Sequence, residues 1–327
     1  MEFREWLPEK IFDSHVHVFD ASNFKSGYVM PEKNCYQKFG GIFTIEQCMA
    51  LVEILLPDQE FSMNCFGCPD ADADLNAACR YTSRIVDNKR VFGLALVSPD
   101  DNIETVKHRI IDNGLVGYKP YRNFVKRLPA EEVTIFDMLS PEQLEFADEK
   151  GLAITLHIPK FARLADPVNQ QQMVELCRRY PNAKIIFAHI GRAYYMENVI
   201  GNLDGIAKCP NAFIDTAMVN HPGVLEYAFN NFPRERIVFG SDAPIAFLRG
   251  KSVEINNQYA YLMGENYAIG NSIYDAHGTV QFTTFFYEQL RGVKEAATKA
   301  GLTKLELENF FYNNIYNLLS EIKICAK

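Results

Sequence analysis

Two histidines, His15 and His17, lie two residues apart in a short apolar run, residues 11–18. The run is rich in β-branched and aromatic residues, which predicts a buried strand. Side chains two positions apart on a strand face the same way, so both imidazoles would point to one side. Two converging neutral imidazoles make half of a metal site. A core histidine that is hydrogen-bonded to a carbonyl is the alternative, and this pair alone does not decide between the two.

The distribution of other ionisable residues favours the metal site. The chain has seven histidines, at positions 15, 17, 108, 157, 189, 221 and 277. Apolar runs that are typical of strands end at His157 and at His189, another ends at Asp242, and Lys119 lies near the end of a further one. Packing alone rarely selects imidazole, so four histidines near strand ends predict a functional site.

Strand-like and helical segments alternate along the chain eight times, which predicts the α/β class. Clear helix starts support this pattern, including Thr44 with Gln47 and Ser140 with Gln143, both of which fit a capping box. A (β/α)8 TIM barrel and an open, doubly wound sheet are the two arrangements that fit. A barrel gathers the carboxyl ends of many strands at one mouth, as the positions of the ionisable residues require. We therefore predict a single barrel domain over residues 1–327, with insertions near 19–43 and 247–279 and with C-terminal helices. The last strand is expected over residues 236–242, a helical stretch over 196–206, and a terminal helix over 305–316 whose apolar face packs on the barrel.

Composition excludes several other classes of protein. The 327 residues are 48% hydrophobic and 23% charged, and the formal net charge is −8. A mildly acidic chain without a dense basic block is not expected to bind nucleic acid or an anionic membrane. We find no signal-peptide pattern and no run of membrane-spanning length, which predicts a cytoplasmic protein. The eight cysteines are scattered, as reduced core thiols would be, and Cys65 and Cys68 lack a second pair with which to bind zinc.

The motifs at these strand ends resemble the amidohydrolase superfamily. They comprise Asp13-Ser14-His15-Val16-His17, His157, Ala188-His189-Ile190-Gly191 and Gly240-Ser241-Asp242-Ala243-Pro244. The resemblance is greatest to the amidohydrolase-related group, which includes aminocarboxymuconate semialdehyde decarboxylase and several lactonases. It covers nearly the whole chain in order and spacing, and it says little about the substrate.

The resemblance implies a divalent metal held by His15, His17, His157 and Asp242. Nitrogen and carboxylate ligands suit Zn²⁺, with Mn²⁺, Fe²⁺ or Co²⁺ as alternatives. A bound metal of this kind lowers the pKa of its water from 15.7 to about 7. Asp242 would act as general base, and His189 would orient the water or polarise a substrate carbonyl. Asp13 is expected to be structural rather than a ligand.

Lys119 has two interpretations. The resemblance implies that a carboxylated lysine at this place could bridge two metals, whereas a free lysine could bind a substrate carboxylate. We favour one metal. Arg192, Tyr121 and Arg122 are further candidates for substrate contact, and an arginine beside a metal suits a carboxylate. His108, His221 and His277 are expected to be structural or surface residues.

Three functions are compatible with these residues. The first is a metal-dependent hydrolase of an ester, lactone or amide bond in a small carboxylated substrate. The second is a metal-dependent non-oxidative decarboxylase, and the third is an inactive barrel that only binds. The intact ligand set argues against the third, and we choose the hydrolase. A homodimer is plausible, because two-fold assemblies are common.

Overall fold

Eight parallel strands form the centre of the protein. The computed structural model describes residues 2–324, so Cys325, one of the eight cysteines predicted to be reduced, lies outside the described residues. Each strand pairs with its neighbour in chain order, from β1 to β8. The strands are β1 Lys10–His17, β2 Glu60–Phe66, β3 Val91–Val97, β4 Gly117–Pro120, β5 Ala153–Leu156, β6 Lys184–Phe187, β7 Ala212–Asp215 and β8 Ile237–Val238. The (β/α)8 barrel predicted from the sequence is confirmed.

Backbone hydrogen bonds close the barrel between its last and first strands. Ser14 N donates to Phe239 O at 3.0 Å, and His17 N donates to Ala243 O at 2.7 Å. β8 is shorter than the predicted strand, residues 236–242, because Phe239 N leaves the sheet and donates to Phe310 O. The closure places the chain that carries Asp242 directly beside β1.

Helical segments follow the barrel strands, and most of them cover the barrel from the outside. They are α1 Ile45–Leu55, α2 Leu75–Ile85, α3 Ile103–Ile111, α4 Pro141–Lys150, α5 Pro167–Arg179, α6 Ala188–Arg192, α7 Met196–Val199, α8 Asp204–Ala207, α9 Pro222–Asn231, α10 Phe285–Lys299, α11 Lys304–Glu308 and α12 Asn314–Ser320. The short α6 lies at the predicted site instead. Both predicted capping boxes form, at Thr44 and at Ser140. The helical stretch predicted over 196–206 is instead two short helices, α7 and α8. None of the helices in residues 2–324 combines the length and apolar character that crossing a bilayer requires.

The strands are apolar because both of their faces are covered. Most strand residues are buried, including the whole of β4 and β5. These two strands approach so closely that a Cβ added at Gly117 would lie 1.8 Å from Ala153 O. Only glycine fits at this position.

The two predicted insertions contact each other. Residues 19–43 contain two short 3-10 helices, and the second insertion contains a three-stranded sheet of β9 Gly250–Ile255, β10 Gln258–Met263 and β11 Ser272–Tyr274. Ala268 N donates to Lys33 O at 2.9 Å, and Lys38 pairs with Glu265. The insertions therefore form one continuous cover beside the barrel.

The C-terminal segment packs on the barrel, as its apolar face predicts. The helix expected over residues 305–316 is divided by a π-helix, Asn309–Asn313, which lies between α11 and α12. Phe310 and Phe311 in this π-helix are buried, and the Phe311 ring lies 5.0 Å from the Phe239 ring. This packing anchors the chain just before Asp242.

Candidate metal centre

The two histidines of β1 both direct their Nε2 atoms toward Asp242. His15 Nδ1 donates to Asp215 Oδ2 at 2.9 Å, and His17 Nδ1 donates to Gly67 O at 3.0 Å. These bonds leave the Nε2 lone pairs free to act as ligands. The Nε2 atoms of His15 and His17 lie 3.4 Å and 3.2 Å from Asp242 Oδ1.

Asp242 is held in a backbone conformation that side chains rarely adopt. Its φ is +69°, and its backbone N donates to His15 O at 2.9 Å. Such conformations persist only where the surrounding structure imposes them, and they are concentrated at functional sites. Burial raises the pKa of Asp242, whereas positive charge on the surrounding His15, His17 and His189 lowers it to about 2. Because these imidazoles are neutral when they act as ligands, the positive charge that keeps the carboxyl group ionised would come from a bound cation or from Lys119.

His189 lies in a left-handed turn at the end of β6. Within α6, His189, Ile190 and Gly191 have φ values of 58°, 53° and 61°, so this segment is a left-handed turn and not an ordinary helix. His189 Nδ1 donates to Ala217 O at 2.9 Å, and its ring lies 4.9 Å from the His15 ring. Nε2 of His189 is thus left free beside the β1 histidines.

Asp215, at the end of β7, is a site residue that the sequence motifs did not identify. It is fully buried and accepts three hydrogen bonds, from His15 Nδ1, from His189 N at 2.7 Å and from Ala217 N at 3.1 Å. It therefore fixes the tautomer of His15 and the position of His189 together. The signal was present in the sequence, because an aspartate ends an apolar strand here as Asp242 does.

Lys119 is enclosed at the bottom of the same site. It is 0% exposed, and its Nζ lies 3.2 Å from His15 Nε2 and 4.7 Å from the centre of the Phe66 ring. Burial lowers the pKa of Lys119 to about 8, although the nearby Asp215 and Asp242 oppose that change. With this pKa, Lys119 is mostly charged at pH 7 and about a tenth of it is neutral. Its nitrogen can therefore bind a carboxylate as a cation, and its neutral fraction can act as a nucleophile toward carbon dioxide.

His157 lies near the donor cluster but outside its most compact part. Two groups of donor atoms, His15/His17/Asp242 and His15/His189/Asp215, each lie within 4.8 Å of one another, and His157 belongs to neither. Its ring lies 5.4 Å from the His189 ring, and its buried Nδ1 has no hydrogen-bond partner among residues 2–324. Burial, and then the charge of Arg192, lower the pKa of His157 well below its usual value. It is a neutral imidazole with an unused nitrogen.

The predicted substrate-contact residues lie on the His157 side of the site. The Tyr121 ring lies 4.9 Å from the His157 ring. Arg192 uses Nη1 to donate to Ile158 O at 3.0 Å and Lys160 O at 3.1 Å, so part of its guanidinium braces the loop after β5. Arg122 Nη1 is buried without a partner in the described chain. Arg122 and Arg192 both lie close enough to Tyr121 and His157 for their charges to act on these two groups, so all three predicted residues lie on this wall of the site.

The remaining candidates lie in structural or surface positions. Asp13 Oδ1 accepts from His15 N at 3.0 Å and from Ser241 N at 2.8 Å, and it contacts no imidazole through a hydrogen bond. His221 caps α9 by accepting from Gly223 N, and its Nε2 lies 3.1 Å from Glu254 Oε2. His108 is on α3 with 81% of its side chain exposed, and His277 is exposed. The seven described cysteines are all buried and free, Cys65 and Cys68 included.

These residues fit a divalent cation. Neutral imidazoles with free nitrogens and an ionised carboxylate are buried together, with Lys119 as the adjacent cation. Buried carboxylates of this kind require compensation by a metal or by another positive charge. The donor set contains nitrogen and oxygen and no thiolate, which is typical of a catalytic site with an open position.

Comparisons with known proteins agree with this geometry. The model of the amidohydrolase family matches residues 13–259. A solved amidohydrolase 2 from Bifidobacterium longum subsp. infantis superposes with a TM-score of 0.58 at 15% identity, covering 97% of this chain and 100% of that chain. 5-Carboxyvanillate decarboxylase from Sphingomonas paucimobilis gives a TM-score of 0.57 at 13% identity, covering 95% and 99%.

A third similar structure is that of a probable hydrolase. The probable 2-pyrone-4,6-dicarboxylic acid hydrolase from Acinetobacter baumannii gives a TM-score of 0.52 at 14% identity, covering 94% and 98%. No curated protein matches the chain. At these identities the solved structures establish the shared fold, and the family assignment depends on the family model.

Proposed function

The chain belongs to the amidohydrolase family, and on that premise we propose that it is a metal-dependent hydrolase of an ester, lactone or amide bond in a small carboxylated substrate. The observation that carries this proposal is the convergence of His15 Nε2, His17 Nε2 and Asp242 Oδ1 within one buried site. The family depends on divalent metals, and this group could hold one.

We assign the metal to His15, His17, His157 and Asp242. Zn²⁺ is our choice because imidazole and carboxylate suit it, and Mn²⁺, Fe²⁺ and Co²⁺ accept the same ligands. When bound, such a metal would act as a Lewis acid and would lower the pKa of water, so that hydroxide is available as the nucleophile at neutral pH. We include His157 because its Nδ1 forms no hydrogen bond with any described residue, so its imidazole has a nitrogen free to bind a metal.

Asp242 is the proton carrier in this proposal. When it is ionised, the carboxylate can accept the proton of the attacking water and deliver it to the leaving oxygen or nitrogen. The imposed backbone at φ +69° aims the carboxylate at the β1 imidazoles.

His189 is better suited to orient the water than to polarise a carbonyl. Its Nδ1 donates to Ala217 O, so Nε2 carries a lone pair in the neutral ring. Burial lowers the pKa of His189, which opposes the protonation that a carbonyl-polarising donor would need. Nε2 therefore accepts a hydrogen bond from the water and directs its oxygen toward the substrate.

Lys119 decides between one metal and two. We propose one metal, with the Lys119 ammonium binding a substrate carboxylate beside His15. A carboxylated Lys119 would instead supply oxygen ligands for a second metal. The metal content per chain separates these two states.

The decarboxylase alternative has support from two similar folds, 2,6-dihydroxybenzoate decarboxylase from Rhizobium and the 5-carboxyvanillate enzyme above. The same ligands and Lys119 could serve that chemistry, so both products must be assayed. We also propose that residues 1–327 act as one domain and that the protein can form a homodimer. The seven buried free thiols are compatible with a reducing, cytoplasmic location.

The first experiment is the metal content of protein purified without added metal. We expect about one zinc per chain, and loss of metal in His157→Ala. His108→Ala is the matched control, because His108 is exposed on α3 and should leave the metal content unchanged. Two metals per chain would indicate carboxylated Lys119.

Activity follows from the same preparations. Lactones, esters and amides with an added carboxylate are screened for hydrolysis, and carboxylated aromatic compounds are screened for release of carbon dioxide. Metal-dependent hydrolysis that His157→Ala loses and His108→Ala keeps would support the proposal. Protein that takes up no metal after reconstitution would contradict it.

A further inference from the structure

Three arginines surround the His157 side of the site without an acidic partner. Arg122 follows β4, Arg163 lies in the loop after β5, and Arg192 follows β6. No ion pair formed within residues 2–324 includes any of the three. In a chain with a net charge of −8, this concentration of unpaired positive charge at one wall is unexpected.

Two of these arginines hold unused, buried donors. Arg122 Nη1 and Arg163 Nε have no hydrogen-bond partner among the described residues. The Arg122 guanidinium lies 5.8 Å from the centre of the Phe161 ring. Buried polar groups are almost always satisfied, and a charged donor left without an acceptor is especially costly. These donors are therefore available to an acceptor that is not part of this chain.

Aromatic contacts connect Arg163 to the proposed catalytic residues. Its guanidinium lies 4.5 Å from the centre of the Tyr259 ring, which lies 4.7 Å from the Tyr194 ring. Tyr194 in turn lies 6.1 Å from His189. Tyr259 belongs to β10 of the second insertion, so this insertion forms part of the same wall.

The positive charges of the three arginines on this wall repel one another. Burial lowers the pKa of Arg192, and the positive charges of Arg163 and Arg122 lower it further. An arriving anion would relieve this repulsion and, because guanidinium has a planar fork of donors, could be bound in a bidentate manner.

We infer that Arg122 and Arg163 form a second anion subsite, so that the substrate carries two anionic groups. The inference depends on the proposed function: one carboxylate binds near Lys119, and the second anionic group, a carboxylate or a phosphate, binds at these arginines. Arg192 fixes the loop between them through its bonds to residues 158 and 160. The Tyr121 ring lies beside His157, and the Tyr194 and Tyr259 rings pack against each other beside Arg163, so aromatic rings flank the proposed subsite and suit a flat apolar spacer between the two anions.

Calorimetric titration of metal-loaded protein with unreactive probes tests the inference. The probes are benzoate with one carboxylate, isophthalate with two carboxylates, and 3-phosphonobenzoate with a carboxylate and a phosphonate. We expect at least one of the dianions to bind about tenfold more tightly than benzoate, as two charge-assisted bonds would allow. The tighter dianion identifies which second group the subsite takes.

Substitutions locate the effect. Arg122→Gln and Arg163→Gln should each weaken the preferred dianion by about three- to tenfold and leave benzoate within about twofold, and the double variant should remove the preference. Arg163→Lys keeps the charge but not the fork, so it should retain part of the preference. Arg178→Gln is the control, because Arg178 is exposed in the last turn of α5 and lies away from the mouth. Thermal unfolding of every variant verifies the fold.

Equal binding of all three probes to the unaltered protein would overturn the inference, as would a preference that the double variant keeps. Other measurements would contradict the proposed function, namely a protein that binds no metal or that hydrolyses none of the substrates. A dianion preference that depends on Arg122 and Arg163 in a protein that hydrolyses nothing would refute the hydrolase and keep the subsite.

Discussion

Replacing Asp215 by asparagine tests how the metal centre is organised. All three groups that contact the Asp215 carboxylate are donors: His189 N and Ala217 N donate to Oδ1, and His15 Nδ1 donates to Oδ2. Asparagine keeps the shape and one acceptor oxygen. That oxygen can replace Oδ1 for the two backbone donors, and its amide nitrogen then faces His15 Nδ1.

The consequence is a changed tautomer of His15. An amide N–H facing Nδ1 requires Nδ1 to accept, so the ring proton moves to Nε2. The Nε2 lone pair, which points toward Asp242, is then lost as a ligand. If His15 instead kept its proton on Nδ1, that N–H would face the amide N–H of the asparagine. Two donors would then oppose each other in a fully buried position. We therefore expect Asp215→Asn to weaken metal binding about 10- to 100-fold, which equals about 1.4–2.8 kcal/mol.

The assay is a competition titration of metal-free protein against a chromophoric chelator. Asp13→Asn is the matched control, because Asp13 is equally buried, its Oδ1 accepts from His15 N and Ser241 N, and the asparagine oxygen keeps both bonds. The control should bind metal within about threefold of the unaltered protein, as an intact acceptor oxygen predicts. Equal losses in the two variants, or no loss in Asp215→Asn, would refute the reasoning.

Three further predictions concern stability. Adding Zn²⁺ at about 100 times its Kd should stabilise the protein by about 2.7 kcal/mol, measured as a rise in Tm that a chelator reverses; an unchanged Tm would count against a metal bound to the folded state. Gly117→Ala should lower the free energy of unfolding, measured in urea, by at least about 3 kcal/mol, because its Cβ would lie 1.8 Å from Ala153 O. An almost unchanged free energy of unfolding would show that β4 and β5 can separate. Hydrogen bonds from Thr303 and the charge of Arg234 lower the pKa of Glu306 to about 2, so the stabilisation is present above the unfolded-state pKa and is lost as pH falls through about 2. Glu306→Gln should therefore lower the free energy of unfolding by less than about 1 kcal/mol at pH 7, because Glu306 is partly exposed. The difference in this free energy between the variant and the unaltered protein should shrink below about pH 4. A difference that grew in acid would refute the lowered pKa of Glu306.

The parts of the site that follow from local pattern were predicted from the sequence. A strand places alternate residues on one face, so His15 and His17 had to point together. Parallel strands in a barrel bring their carboxyl ends to one mouth, so Asp242 and Lys119 had to lie near them. Asp215 carries the same signal, but its contacts are with His15, 200 residues away, and with His189. Nothing in its immediate neighbours shows that it orients these histidines.

The parts of the fold that were missed depend on long-range contacts. The second insertion is rich in Asn, Tyr and Gly, which indicates a loop, yet it forms β9, β10 and β11 because these strands pair with one another. The predicted final strand, residues 236–242, ends early because Phe239 N bonds to Phe310 O in the C-terminal π-helix. Neither pairing can be read from local periodicity.

The left-handed turn after β6 shows how one carboxylate couples several parts of the site. Left-handed backbone costs roughly 1–2 kcal/mol for each residue other than glycine, and His189, Ile190 and Arg192 all adopt it. The turn persists because Asp215 accepts from His189 N, and because the Arg192 side chain donates to the loop after β5. Since Asp215 also holds His15, the proposed ligand on β1, the proposed water-orienting residue on β6 and the arginine wall share one support. Strain at this turn is therefore part of how the site is built, and a change at Asp215 should alter metal binding and substrate contact together.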